Sequence, residues 1–131
     1  MAQIANIVIK DSAAVDHTYV PIGLPNGVVT WADQLMGGGV VAGWWKITAT
    51  VRPATPTLSQ KIDLRLYVPT LLSPVPASGI PAVAYQEIAV MTFNVSPAST
   101  LLERKNLRSL AYNLLANPQV VDMIENMATP F

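Results

Sequence analysis

Trp45-Lys46-Ile47-Thr48-Ala49-Thr50-Val51-Arg52 alternates without a break: Trp45, Ile47, Ala49 and Val51 fall on one side of an extended chain, Lys46, Thr48, Thr50 and Arg52 on the other. Period two with one apolar and one polar side is the pattern of a strand that buries one face and wets the other. After a turn region with two prolines (53–59), the pattern returns. Lys61, Asp63, Arg65 and Tyr67 alternate with Ile62, Leu64, Leu66 and Val68. A third strand is predicted over about 86–95, with Ala89, Met91, Phe93 and Val95 on one side and Ile88, Val90, Thr92 and Asn94 on the other. Three long two-faced strands in succession predict an antiparallel sheet.

Working outward, Ile4, Ile7, Val8 and Ile9 form a β-branched run and Thr18 to Ile22 another, with Asp11, Ser12 and Asp16 between them, which reads as an N-terminal hairpin. Asn26-Gly27 is a turn dipeptide ahead of a short Val28-Val29-Thr30-Trp31 strand, and Gly37 to Gly39 mark a loop. On the other side the period changes. Thr100 and Glu103 fit a capping box, and Leu107, Leu110, Ala111, Leu114 and Leu115 follow at helical spacing. Asn117-Pro118 suits the cap and first residue of a second helix, whose apolar face is Val120, Val121, Ile124 and Met127. The result is an α+β chain, strands first and two helices last, with the helices expected on a sheet face.

Composition limits what such a chain can be. At 131 residues it is the size of one domain, 1–131, with no linker-like shift inside it. Hydrophobic residues make up 51% and charged residues 12%, about half the usual charged share. So apolar a chain of this length cannot hide its surface alone, and a large subunit interface is the simplest remedy. Eight basic residues balance eight acidic ones, so bulk charge names no partner. With no cysteine, disulfides, thiolate metal sites and cysteine catalysis are excluded. No secretory signal is expected at the start, and the uncharged stretch from Leu66 to Gln86 contains Pro69, Pro74, Pro76, Gly79 and Pro81, which exclude a spanning helix and point to a long loop.

Candidate chemistry is sparse. His17 is the only histidine; Asp16 and Ser12 are near it, but adjacent strand residues point to opposite faces, so it reads as a surface hairpin residue rather than part of a triad. Asp11, Asp16 and Asp33 lack the spacing of a calcium loop and read as solvated loop acids. Gly37, Gly39 and Ala42 fit a relaxed dinucleotide motif, but a strand follows where that motif needs a helix. Asn94-Val95-Ser96 is a formal glycosylation sequon that reads as accidental. No catalytic set, metal site or cofactor is expected. The wet face of the two best strands is different: Lys46, Arg52, Lys61 and Arg65 supply four of the eight basic residues, with Asp63 the one acid among them. Two readings stand, ordinary solvent-facing decoration and a nucleic-acid surface on which Thr48 and Thr50 hydrogen-bond between the cations.

These fragments, in their order and over nearly the whole chain, resemble the coat proteins of levivirus-like single-stranded RNA bacteriophages. Asn26 to Trp31 looks like that family's NGVxxW turn and strand, and Trp45 to Arg52 its aromatic-Lys-Val-Thr-x-Ser-Val-Arg strand. Lys61 to Pro69 is similar to the next strand, which ends in Val-Pro; Thr92-Phe93, Ser99-Thr100, Glu103-Arg104 and the terminal Pro130-Phe131 complete the match. The resemblance implies an N-terminal hairpin, a five-stranded antiparallel sheet and two C-terminal helices. It also implies an interlocked homodimer, each subunit's helices over the partner's sheet, assembled in the bacterial cytoplasm into an icosahedral virion shell. The loop from Thr70 to Val83 would surround the shell's local symmetry axes, and no membrane partner is expected.

For the site, the resemblance carries RNA-contacting roles onto Lys46, Thr48, Thr50, Arg52, Lys61 and Arg65, with Val28 as a small apolar contact in an adenine pocket. Asp63, Val90, Thr92 and Asn94 complete the expected RNA-binding set. Asp63 replaces a neutral or hydroxyl residue, while Ile88 and Val90 stand where a base-stacking tyrosine and a polar contact belong; Tyr85 comes three positions too early. The expected function is a structural shell around single-stranded RNA, with binding of a genomic RNA hairpin in packaging or translational repression. A free dimeric RNA-binding regulator without a shell is the alternative.

Overall fold

The computed structural model describes residues 4–23, 28–74 and 76–129. Six strands run in sequence order through one antiparallel sheet: β1 (Ile7–Lys10), β2 (Asp16–Gly23), β3 (Val29–Asp33), β4 (Trp45–Arg52), β5 (Gln60–Leu71) and β6 (Val83–Val95). Helices α1 (Leu101–Leu115) and α2 (Pro118–Glu125) follow. The count expected from the resemblance resolves in β2. Its first half, through Tyr19, pairs with β1 as the hairpin, and its second half, from Val20, pairs with β3. Hairpin and five-stranded sheet therefore share one strand, giving six. Pro21, which has no N–H to donate, lies beyond the last β1 pair, where the strand has a neighbour on one side only.

β5 and β6 extend further than alternation alone indicated, because pairing continues through Thr70 with Tyr85 and Leu71 with Val83. The Pro-rich connection shrinks to residues 72–82. The expected turn at Asn26-Gly27 and the terminal Pro130-Phe131 lie outside the described residues. Between β3 and β4, Gly37, Gly38 and Gly39 all have positive φ, and a Cβ on Gly37 would stand 2.6 Å from the Gly43 Cα, so glycine is required there by both conformation and space.

Both helix starts follow the local signals. The Glu103 N–H donates to Thr100 Oγ1 and the Thr100 N–H to Glu103 Oε2, each at 3.3 Å. Asn117 Oδ1 accepts from the Gln119 N–H at 2.9 Å, ahead of Pro118 in the first turn. The helices do not, however, cover the sheet of their own chain. An open cavity of about 650 Å³ separates them, lined by Ile62, Leu64, Phe93 and Val95 below and Arg104 and Leu107 above. Among the described residues the only buried hydrophobic side chains are Tyr19 and Ala32, while Leu107, Leu110, Leu114 and Ile124 are exposed. The chain presents 9691 Å² to solvent, where a compact 14.1 kDa monomer would present about 6,700 Å².

One expectation is overturned at the β1–β2 end. His17 is not a surface residue: its side chain is 12% exposed, with Nε2 2.8 Å from Asp11 Oδ2 and Nδ1 2.8 Å from Asp33 Oδ2. Nor are the three acids alike. Asp33 is buried at the end of β3 and Asp11 holds the β1–β2 turn, and only Asp16 is a solvated acid, paired with Lys10 at 2.7 Å. Neighbouring numbers misled because pairing, not adjacency, sets contact. His17 and Asp33 are brought together from adjacent strands.

Candidate nucleic-acid interface

Residues directly opposite in an antiparallel pair share a face, so the register assigns each side chain. Ile47–Leu66–Ala89 and Ala49–Leu64–Met91 are cross-strand rows of the apolar face. The opposite face carries four rows: Lys46–Tyr67–Ile88, Thr48–Arg65–Val90, Thr50–Asp63–Thr92 and Arg52–Lys61–Asn94. Thr30 lies opposite Thr48 and extends the second row into β3, and Val28 precedes β3 at the Thr50 end. Every residue of the expected RNA-binding set among β4, β5 and β6 therefore falls on one face: Lys46, Thr48, Thr50, Arg52, Lys61, Asp63, Arg65, Val90, Thr92 and Asn94.

Electrostatics on this face are uneven. Thr92 Oγ1 donates to Asp63 Oδ1 at 2.6 Å, and Lys61 Nζ approaches Asp63 Oδ2 at 3.8 Å. Arg52 Nη2 donates to the Ser59 carbonyl at 3.1 Å, which ties one cation to the β4–β5 turn. Lys46, Arg52 and Arg65 form no ion pair among the described residues. Lys46 and Arg65 flank Thr48 in the two rows nearest the start of β4, and Arg52 stands at the far end of the face. Long cationic side chains interleaved with hydroxyls suit phosphate oxygens and exposed bases.

The register also exposes a residue that the sequence reading passed over. Tyr67 lies directly between Lys46 and Ile88, putting an aromatic ring on the basic face next to the position where Ile88 replaces the expected tyrosine. The alternation of Lys61, Asp63, Arg65 and Tyr67 contained that signal; its relation to Ile88 is cross-strand and needs the pairing. Tyr85 pairs with Thr70 and shares the parity of the apolar face, so it does not take the missing tyrosine's place. No group of His, Cys, Asp or Glu among the described residues is arranged to hold a metal ion.

A curled antiparallel sheet, apolar on one side and basic on the other, followed by two helices that leave it bare, is the architecture of RNA phage coat subunits. Residues 2–131 match the levivirus coat protein family, and the chain belongs to it. Among solved structures it is similar to the virus-like particle of bacteriophage NT-214, at 29% identity and a TM-score of 0.86 over 99% of this chain and 100% of that one. The virus-like particle of bacteriophage ESE058 gives 28%, 0.85, 99% and 100% in the same terms. The fold is also that of an unassembled, RNA-binding bacteriophage coat protein dimer, with 20% identity, a TM-score of 0.62 and 99% of both chains covered. No curated protein sequence matches.

Proposed function

We propose that this coat protein forms an interlocked homodimer that assembles into an icosahedral virion shell, with the basic sheet face lining the interior against single-stranded RNA. The observation that carries this reading is the bare apolar face beneath helices that do not pack on it. The surface in excess of a compact monomer is roughly 3,000 Å² per chain, about 6,000 Å² for two copies and so at the upper end of obligate interfaces, and a second copy's helices supply a matching apolar cover. With the apolar face occupied, the opposite face, carrying Lys46, Arg52, Lys61 and Arg65, is left for RNA.

Within that face, Lys46, Arg52, Lys61 and Arg65 act as phosphate contacts, and Thr48 and Thr50, with Val28 beside them, form the pocket for an unpaired base. Asp63, Val90, Thr92 and Asn94 border it. Tyr67 adds a ring on which a second base stacks, in place of the tyrosine absent at Ile88; aromatic stacking of this kind tolerates any base. The role is structural and non-enzymatic: the face offers no convergent acid, base and nucleophile.

The test is nuclease treatment of the purified, full-length protein followed by extraction. Protected RNA is expected, together with binding selection from hairpins of randomised loop sequence that enriches an unpaired base. Absence of protected RNA at every salt concentration would contradict the RNA-lining role. Bulk binding without loop enrichment would reduce the face to a non-specific lining.

A further inference from the structure

His17 plays no part in either sheet face's role, yet both of its ring nitrogens are engaged by side chains. Both ring nitrogens lie 2.8 Å from a carboxylate oxygen, Nε2 from Asp11 and Nδ1 from Asp33. An ionised carboxylate only accepts, so both contacts are hydrogen bonds only when both nitrogens carry a proton, as in imidazolium. The Trp45 ring lies 4.9 Å from the imidazole, tilted by 31°, and shields it from solvent. The Asp33 side chain is 4% exposed.

The three residues come from separate segments, and each carboxylate also holds a turn. Asp11 Oδ1 accepts from the Ala13 and Val15 N–H groups at 2.9 and 3.0 Å, bracing a turn in which Ala14 has φ +60°, a region alanine disfavours. Asp33 Oδ1 accepts from the Leu35 N–H at 3.2 Å, where β3 gives way to the glycine loop. We propose that His17, bridging Asp11 and Asp33, is a latch that fastens the β1–β2 hairpin to the end of the main sheet and lets go in alkali.

Loss of one imidazole proton turns one of the two hydrogen bonds into a lone pair facing a carboxylate. The hydrogen bonds that His17 donates to Asp11 and then Asp33 hold its pKa above the ordinary value, and the His17 hydrogen bond is the main cause that holds Asp11 below its own. The latch's contribution is therefore complete below about pH 6.5 and fades as pH rises through the raised His17 value. At the acid end, the Asp11 part is present above about pH 3.8 and fades as pH falls through the lowered Asp11 value.

The other groups near the ring do not reproduce this window. Tyr19 shares the face two residues along β2, and burial, with Asp33 nearby, raises its pKa further above 10. Lys10 and Asp16 neutralise each other on the opposite face, and Lys46 follows Trp45 onto that face as well.

The test follows amide hydrogen exchange of the hairpin, residues 7–19, in the full-length protein from about pH 6 to 9, corrected for intrinsic rates. Opening releases one proton, so protection in the native chain falls by up to about tenfold per pH unit above the ordinary histidine value, while His17→Gln shows a flat profile. Identical pH dependence in both proteins, or none in the native chain, overturns the latch. If His17→Gln does not fold, nitrogen-15 spectra of the native ring decide. Two protonated nitrogens at neutral pH and a midpoint above 6.5 support the latch; one protonated nitrogen, or an ordinary midpoint, overturns it.

Discussion

Thr92 on β6 donates its hydroxyl to Asp63 on β5 across 2.6 Å, and the two residues are directly opposed in the strand register. The bond fixes the one carboxylate among the four basic rows of β4, β5 and β6 in the middle of them, with Lys61 Nζ 3.8 Å from its other oxygen. Asp63 thus subtracts from the positive field that attracts phosphate. Asp63→Asn keeps an acceptor for Thr92 and removes the charge. Bulk single-stranded RNA is expected to bind about 0.2–1 kcal/mol more tightly at low salt, the size of an exposed charge interaction, with the gain fading as salt screens it. Fluorescence anisotropy across a salt series measures this; weaker binding would mean that the carboxylate accepts hydrogen bonds from bases.

Lys61 and Arg65 differ from Asp63 in what they contribute. Lys61→Ala or Arg65→Ala should weaken RNA binding broadly, and each lost phosphate contact should lower the slope of log affinity against log salt by about 0.7 to 0.9. An unchanged slope in both variants would remove these residues from the phosphate-contacting set.

The two-faced strands and both helix caps were legible in the sequence because their signals are local: period two over 45–52 and 61–68, a three-residue spacing for Thr100 and Glu103, and Asn117 directly ahead of Pro118. What was not legible depends on register. His17 meets Asp33 and not the adjacent Asp16, because β2 and β3 bring residues sixteen positions apart side by side. Tyr67 alternated correctly with the basic residues, but its place beside Ile88 exists only across β5 and β6. Helical spacing of Leu107, Leu110 and Leu114 likewise marks an apolar stripe without saying whose surface it covers.

That stripe gives the next prediction. Leu110 is 69% exposed in the single chain, so Leu110→Asp would be harmless to a monomer. At a dimer interface it buries an unpaired charge, at a cost of several kcal/mol. Sedimentation should show loss of the soluble dimer; a folded dimer with normal far-UV spectrum would contradict the interlocked arrangement.

Thr100→Ala removes the hydroxyl that accepts from the Glu103 N–H. Loss of such a cap costs about 1 kcal/mol. Chemical denaturation of the dimer should show that decrease, with RNA affinity of the surviving dimer unchanged because Thr100 caps α1 and is not part of the basic rows.

The most direct test of the central claim is electron microscopy of the purified, nuclease-treated protein. Closed particles of uniform size enclosing RNA are the predicted result. Soluble dimers alone, persisting across salt and protein concentration, would contradict assembly into a shell and leave the basic face to a free RNA-binding protein.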